Sequence, residues 1–244
     1  MRFSLIRQAP GLDVSDNRRK YIYIWFFGIT MQDAMFDIYR FFGNELHAAE
    51  FIEGRIRIST LEACRGYEDP RRGDKGEATW EYNSGDVRGS SQDPAVRYVA
   101  ERSGILLGEG SAKGEIFLSN NTTYTKIPDA FVLCFTMNNS ANFAAGTFGE
   151  HGVLLKNPPA LFEKITKQIS KEIPLKRVAM GRVEYRERFQ YSLQSDPRHI
   201  AFVKTPDQYA DQVEYRMLWV PRSDAGITPL IVNCGPIRSI SKRT

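Results

Sequence analysis

Apolar and polar side chains alternate with a two-residue period over several short stretches of this chain. The sharpest case is Asp211-Gln212-Val213-Glu214-Tyr215-Arg216-Met217-Leu218-Trp219-Val220. Read as a strand, it places Gln212, Glu214 and Arg216 on one face and Val213, Tyr215, Met217 and Trp219 on the other. Such a strand can bury its apolar face and turn a carboxylate, flanked by an amide and a guanidinium, into a polar cleft. A half-exposed strand of an antiparallel sheet carries the same pattern. Further β-type runs are predicted at Tyr21–Phe27, Ile38–Phe42, Ile56–Leu61, Phe131–Thr136, Gly152–Leu155, Arg177–Tyr185 and Pro229–Val232. Helical spacing predicts helices over Glu45–Ile52, about Asp93–Arg102, and Pro159–Glu172. The last enters through Pro158-Pro159 and aligns Leu161, Phe162, Ile165 and Ile169 on one side.

The succession of short strands with few helices predicts an α+β fold with mostly antiparallel sheets. It forms a single domain over residues 21–244, after a polar segment at 1–20. A charged insertion at about 62–92 stands apart. Its centre, Arg65-Gly66-Tyr67-Glu68-Asp69-Pro70-Arg71-Arg72-Gly73-Asp74-Lys75-Gly76-Glu77, is dense in charge, glycine and proline and reads as a solvated surface loop. Ser84–Gln92 reads as a second loop.

With 244 residues the chain can bury a full core, and 42% apolar and 25% charged residues are ordinary for a soluble globular protein. A net charge of +4 permits an acidic partner, nucleic acid or a dinucleotide, without requiring one. Cys64, Cys134 and Cys234 form no C-x-x-C pair, which predicts a reducing, cytoplasmic setting. His47, His151 and His199 have no zinc-ligand spacing, so no metal is expected. Arg18-Arg19-Lys20 before Tyr21–Ile29 imitates a signal peptide, but the apolar run is aromatic and short of the about 20 residues a bilayer span needs. It reads as a buried strand or an early core segment, and neither secretion nor a membrane partner is expected.

Three strand-like segments carry polar groups able to meet a nucleotide. Arg40 interrupts the aromatic run Asp37–Gly43, Ser59 and Thr60 end the alternating run Arg55–Leu61, and Gln212-x-Glu214 is the third. A guanidinium matches phosphate or ribose oxygens bidentately. Hydroxyls of Ser59 and Thr60 can support a nicotinamide and its ribose. The Glu214 carboxylate can stabilise an oxocarbenium-like cation as nicotinamide departs, and Gln212 can orient the incoming nucleophile.

In that order the residues resemble the arginine, serine and glutamate pattern of ADP-ribosyltransferases. The long separation of Ser59 from Glu214 departs from that family and implies a large insertion. A broader succession resembles the DUF2971-type bacterial proteins: Ile38–Phe42, Arg57–Leu61, Val132–Thr136, Gly149–Val153, Phe202–Lys204 and Gln212–Arg216. Here too the chain departs, with Gln212 where relatives carry an acid and Arg65–Pro70 in place of Asn-Asp-Pro.

The transferase resemblance implies an ADP-ribosyltransferase-like fold and NAD as substrate. It implies ADP-ribosyl transfer or NAD hydrolysis, as in a toxin, and the DUF2971-type resemblance adds a phage-defence setting. It also implies a nucleic-acid or protein acceptor and a cognate antitoxin or inhibitor. Glu214, Gln212 and Arg40 would be catalytic; Arg40, Ser59, Thr60, Arg65 and Lys204 would hold the cofactor; Glu68, Arg71 and Arg72 would meet the target.

Two alternatives stay open. In a non-enzymatic sensor or binding module that contacts protein or nucleic acid, Glu214 and Arg216 only form ion pairs. In a Mg²⁺ nuclease, Glu68, Asp69, Asp74 and Glu77 hold the ion, although Arg65, Arg71, Arg72 and Lys75 between them oppose it. Two side candidates are His151 as a proton carrier and Cys64, beside Arg65, as an activated thiol.

Overall fold

Most of the alternating runs become one nine-stranded sheet. The computed structural model describes residues 23–26, 37–69, 73–108, 114–140, 148–197, 199–223 and 226–244. The polar segment at 1–20, together with Arg71 and Arg72, lies outside them. In chain order the large sheet contains β1 (Tyr23–Phe26), β2 (Ile38–Phe42), β3 (Arg55–Thr60), β8 (Phe131–Thr136), β9 (His151–Leu155), β10 (Leu175–Arg182), β14 (Glu214–Pro221), β15 (Leu230–Asn233) and β16 (Ser241–Arg243). Its path runs β1-β10-β14-β8-β2-β9-β16, with β3 joining β8 to β15. Every pairing is antiparallel except β1 with β10. The architecture is α+β and mostly antiparallel, as the periodicity predicts.

Helices α1 (Glu45–Ile52) and α4 (Pro158–Glu172) cover one face. Both begin where the sequence supplies a cap. Asn44 accepts from the Leu46 amide at 2.7 Å, and Asn157 accepts from the Ala160 amide at 3.1 Å ahead of Pro158-Pro159. Their apolar sides (Phe51; Leu161, Phe162, Ile165, Ile169) meet Ile56, Ile58, Leu133, Tyr215, Met217 and Trp219 in the main core.

The opposite face is covered by the charged insertion, which is loop only in part: the described residues of 67–78 form no helix or strand, but Ser84–Gln92, expected as a loop, contains a strand at Asp86–Gly89. Helix α2 (Leu61–Gly66), β4 (Thr79–Asn83), β5 (Asp86–Gly89), α3 (Pro94–Arg102), β6 (Ile116–Ser119) and β7 (Thr122–Lys126) build a second layer. It is completed by β11 (Glu184–Tyr185), β12 (Phe189–Tyr191), β13 (Val203–Lys204) and α5 (Pro206–Tyr209). Ala78, Leu61, Ala201 and Phe202 of this layer pack on Val132, Ala179 and Leu218 of the sheet. The charged centre is anchored rather than solvated: Asp74 and Glu77 are 4% and 2% exposed. Among the described residues, no helix is long and apolar enough to cross a membrane.

The expected strand 211–220 needs one correction. β14 starts at Glu214, and Gln212 ends a 3-10 turn, Ala210–Gln212. Val213 between them has φ 41° and ψ 54°, a left-handed conformation that a β-branched side chain adopts only under strain. Val213 is therefore exposed instead of sharing the core with Tyr215. Gln212 is not in strand register with Glu214 and Arg216.

One irregularity of the sheet makes the site. β8 shares a single edge between two strands: Ser59 and Thr60 of β3 pair with Val132 and Phe131, while Tyr39 of β2 pairs with Thr136. Continued by two residues, the β3 register would bring Arg57 opposite Cys134. Instead, β3 runs there beside β15, Arg57 opposite Ile231. The sheet forks, and Cys134 sits in the crotch.

Candidate functional site

A cavity of about 800 Å³ opens at the fork. Arg40, Ser59, Glu68, Lys204, Gln212 and Glu214 line it, from segments far apart in sequence. Arg40, Ser59 and Glu214 thus border one hollow. A volume of this order lies within the range of small-molecule sites.

Arg40 occupies the fork itself. Its Nη1 donates to the Cys134 carbonyl at 2.8 Å, using the acceptor that the parting strands leave without a ladder partner. Its guanidinium lies 5.6, 5.9 and 5.8 Å from the ring centres of Phe42, Phe51 and Phe135. These contacts favour a cation. Among the described residues Arg40 has no carboxylate partner. Burial lowers its pKa first, and the like charge of Arg57 adds to that.

The floor is a closed ion-pair network. Arg216, 1% exposed, donates Nε to Glu214 Oε1 at 2.7 Å. Its Nη1 and Nη2 reach Glu77 Oε1 and Oε2 at 2.7 and 3.2 Å, and Nη1 also donates to the Ala201 carbonyl. Lys204 Nζ pairs with Glu214 Oε2 at 2.7 Å, donates to Gln212 Oε1 at 3.3 Å and lies 4.7 Å from the Tyr209 ring centre. Two anions and two cations cancel. Burial alone would push the Glu214 pKa up, but Arg216 and Lys204 overcome it and hold the carboxyl well below its usual range. For Lys204, burial opposes the charge and Glu214 and Glu77 restore it, so its pKa rises and it stays an ammonium.

The other expected residues fall on both sides of the division. Ser59 lines the cavity, its Oγ 3.3 Å from the Tyr67 hydroxyl. Thr60 does not. It is 1% exposed and accepts from the Ala63 amide at 3.1 Å, the N-cap of α2, so the nicotinamide role expected of it is withdrawn. Arg65 is likewise turned away: Nε donates to the Glu77 carbonyl at 2.8 Å and Nη1 to Glu62 at 2.5 Å. Glu68 is exposed at the cavity. His151 opens β9 and does not line the cavity.

Burial, then the Glu77 charge, pushes the Cys64 thiol up to about 11, so it is no nucleophile at neutral pH. Two of the four carboxylates of the Mg²⁺ reading, Asp74 and Glu77, are taken up by arginines. Asp74 is bound bidentately by Arg188 and Glu77 by Arg216, and among the described residues no group of three His, Cys, Asp or Glu could hold a metal.

Arg57 and His47, both exposed, also line the cavity although no sequence motif marks them. The signal for Arg57 was present: Arg55, Arg57 and Ser59 alternate with Ile56 and Ile58 along β3.

A pH-sensitive residue sits beside the network. His199 Nδ1 accepts from the Ala201 amide at 3.1 Å, and burial, then Arg177 and Arg216, lower its pKa to about 4. The native state thus refuses a proton that the unfolded chain accepts below about 6.5. This contribution is complete above that value and is lost as pH falls toward 4. His199→Gln should remove about 2–3 kcal/mol of the stability difference between pH 7.5 and 4.5, read from urea midpoints. An unchanged difference would contradict the assignment.

Comparison with protein-family models, curated proteins and solved structures finds no match to this chain.

Proposed function

We propose that the fork cavity binds a nucleotide-class anion with Arg40 as its receptor, and that NAD is the ligand the Arg40, Ser59 and Glu214 arrangement suits. One observation carries this: a guanidinium sunk among three aromatic rings, in a hollow of nucleotide size, with no carboxylate partner among the described residues. Such a group is costly to bury unless an anion completes it. Tyr39, Phe41 and Phe135 also line the hollow and offer apolar surface to a base.

ADP-ribosyl transfer is a further step on the same site. Both Glu214 oxygens are already held by Arg216 and Lys204. A carboxylate has about four acceptor positions, so a ribose hydroxyl can still be received. Its charge, however, is largely spent inside the network. That geometry favours a binding module, in which Glu77, Arg216, Glu214 and Lys204 form a rigid floor. Convergence of the three motif residues favours the transferase.

Calorimetric titration tests the shared claim. Wild type should bind NAD and ADP-ribose and ignore adenosine. Arg40→Gln should weaken both anions by about 10–100-fold, the worth of a hydrogen bond to a charged group. Arg40→Lys, which keeps the charge without the fork of donors, should fall between. Equal affinity in wild type and Arg40→Gln would refute the receptor role. Nicotinamide release from NAD by the wild-type protein, followed by chromatography, separates the two readings: release marks a transferase or hydrolase, and binding without release marks a sensor.

A further inference from the structure

Arg40 is not the only guanidinium facing the hollow without a counter-charge. Arg57 lines the same cavity from the other arm of the fork. The cavity acids nearest the paired cations are accounted for. Glu50 holds Arg55 at 2.8 Å, Glu77 holds Arg216 at 2.7 Å, and Glu214 holds Arg216 and Lys204. Glu68 and Asp69 also line the cavity, both exposed, and neither pairs with Arg40 or Arg57. Among the described residues Arg57 has no ion pair at all.

The backbone explains why the two arginines meet the same space. Arg57 lies two residues along β3 from Ser59, on the same face, where the strand has parted from β8. Arg40 lies next to Tyr39, the last residue of β2 still paired with β8, and donates into the gap at Cys134. Two like charges held around one partly dehydrated hollow repel each other unless an anion lies between them. Each guanidinium is a fork of parallel donors shaped for one phosphate.

We infer that Arg57 is the second half of the anion receptor begun by Arg40, and that the cavity selects ligands carrying two linked phosphates over those carrying one. This rests on the nucleotide-binding reading above and adds the class of ligand. Arg40 takes the phosphate nearer the base-sized apolar wall and Arg57 the one nearer solvent.

The test compares ADP, AMP and inorganic pyrophosphate by calorimetry on the full chain. Wild type should bind ADP at least tenfold more tightly than AMP. Arg57→Gln should weaken ADP about tenfold or more and leave AMP nearly unchanged, which abolishes the preference. Arg40→Gln should weaken both. Arg57→Lys should restore part of the ADP affinity. Arg88→Gln, which removes an equal charge from the β5–β6 strand pair away from the cavity, should leave the ratio intact. Pyrophosphate alone should bind more weakly than ADP and still depend on Arg57.

Equal wild-type affinity for ADP and AMP, with dependence on Arg40 retained, overturns the two-phosphate inference and leaves the nucleotide reading standing. A ratio that falls as far in Arg88→Gln as in Arg57→Gln overturns it too, because net charge alone would explain the preference. Failure of every nucleotide to bind overturns both. Arg57 is exposed on a strand, so its variants should keep the wild-type melting temperature.

Discussion

Replacing Arg216 with methionine should lower the unfolding free energy by about 3–5 kcal/mol, the cost of removing one partner from a buried ion-pair set. Arg216 is the hinge of the floor. It answers both oxygens of Glu77 and one of Glu214, and both acids are under 5% exposed. Without it, Glu77 has no ion pair among the described residues and Glu214 keeps only Lys204. The loss therefore reflects stranded carboxylates more than the worth of the pair. A double variant makes this visible: Arg216→Met with Glu77→Leu should recover much of the deficit, since a matched apolar replacement is often neutral. Urea unfolding of the two variants measures it. A loss below about 1 kcal/mol for Arg216→Met would show that the network is not buried as described. Glu214→Ala belongs to the same class of variant, so lost activity in it reports on catalysis only where folding is shown intact.

An effect of similar size is expected one strand face away. Trp219→Ala should cost about 3–5 kcal/mol, the range for emptying a large aromatic from a core. Trp219 is fully buried and stacks on Phe162 with ring centres 5.2 Å apart at 28°. Its Nε1 donates to Thr166 Oγ1 at 2.7 Å. That hydroxyl also donates to the Phe162 carbonyl, so the variant leaves no orphaned polar group and the cost is cavity and contact alone. Trp219→Phe should keep more than half of the lost stability. Equal losses for alanine and phenylalanine would mean that the indole hydrogen bond, not the packing, holds α4 to the sheet.

These two residues also show how far the sequence could be read. The apolar face Tyr215, Met217 and Trp219 was legible because a two-residue period has one solution once a core must be filled. Boundaries of β2 and β8 were legible as short apolar runs, and those of α1 from helical spacing. Arg216 was visible only as a charge on the other face. Its partner Glu77 lies 139 residues away, and no local pattern announces a contact of that range.

The insertion was read as solvent-facing because charge density usually marks surface. Asp74 and Glu77 are instead buried against Arg188 and Arg216, both more than 100 residues away. Gln212 was misplaced because periodicity assumes continuous strand, and the left-handed turn at Val213 breaks it. Thr60 was taken for a ligand although it immediately precedes a helix, the position of a cap. Arg57 was in plain view on an alternating strand, two positions before Ser59.

The fork carries one more consequence. Its opening is fixed by where β2 and β3 leave β8, which is a matter of main-chain pairing rather than of the groups that decorate it. Repainting the walls by exchanging Arg57, Ser59 or His47 should leave the room standing. A scaffold of that kind can change its guest without rebuilding its frame, and it offers protein engineers a ready chamber in which new ligands can be sought one side chain at a time.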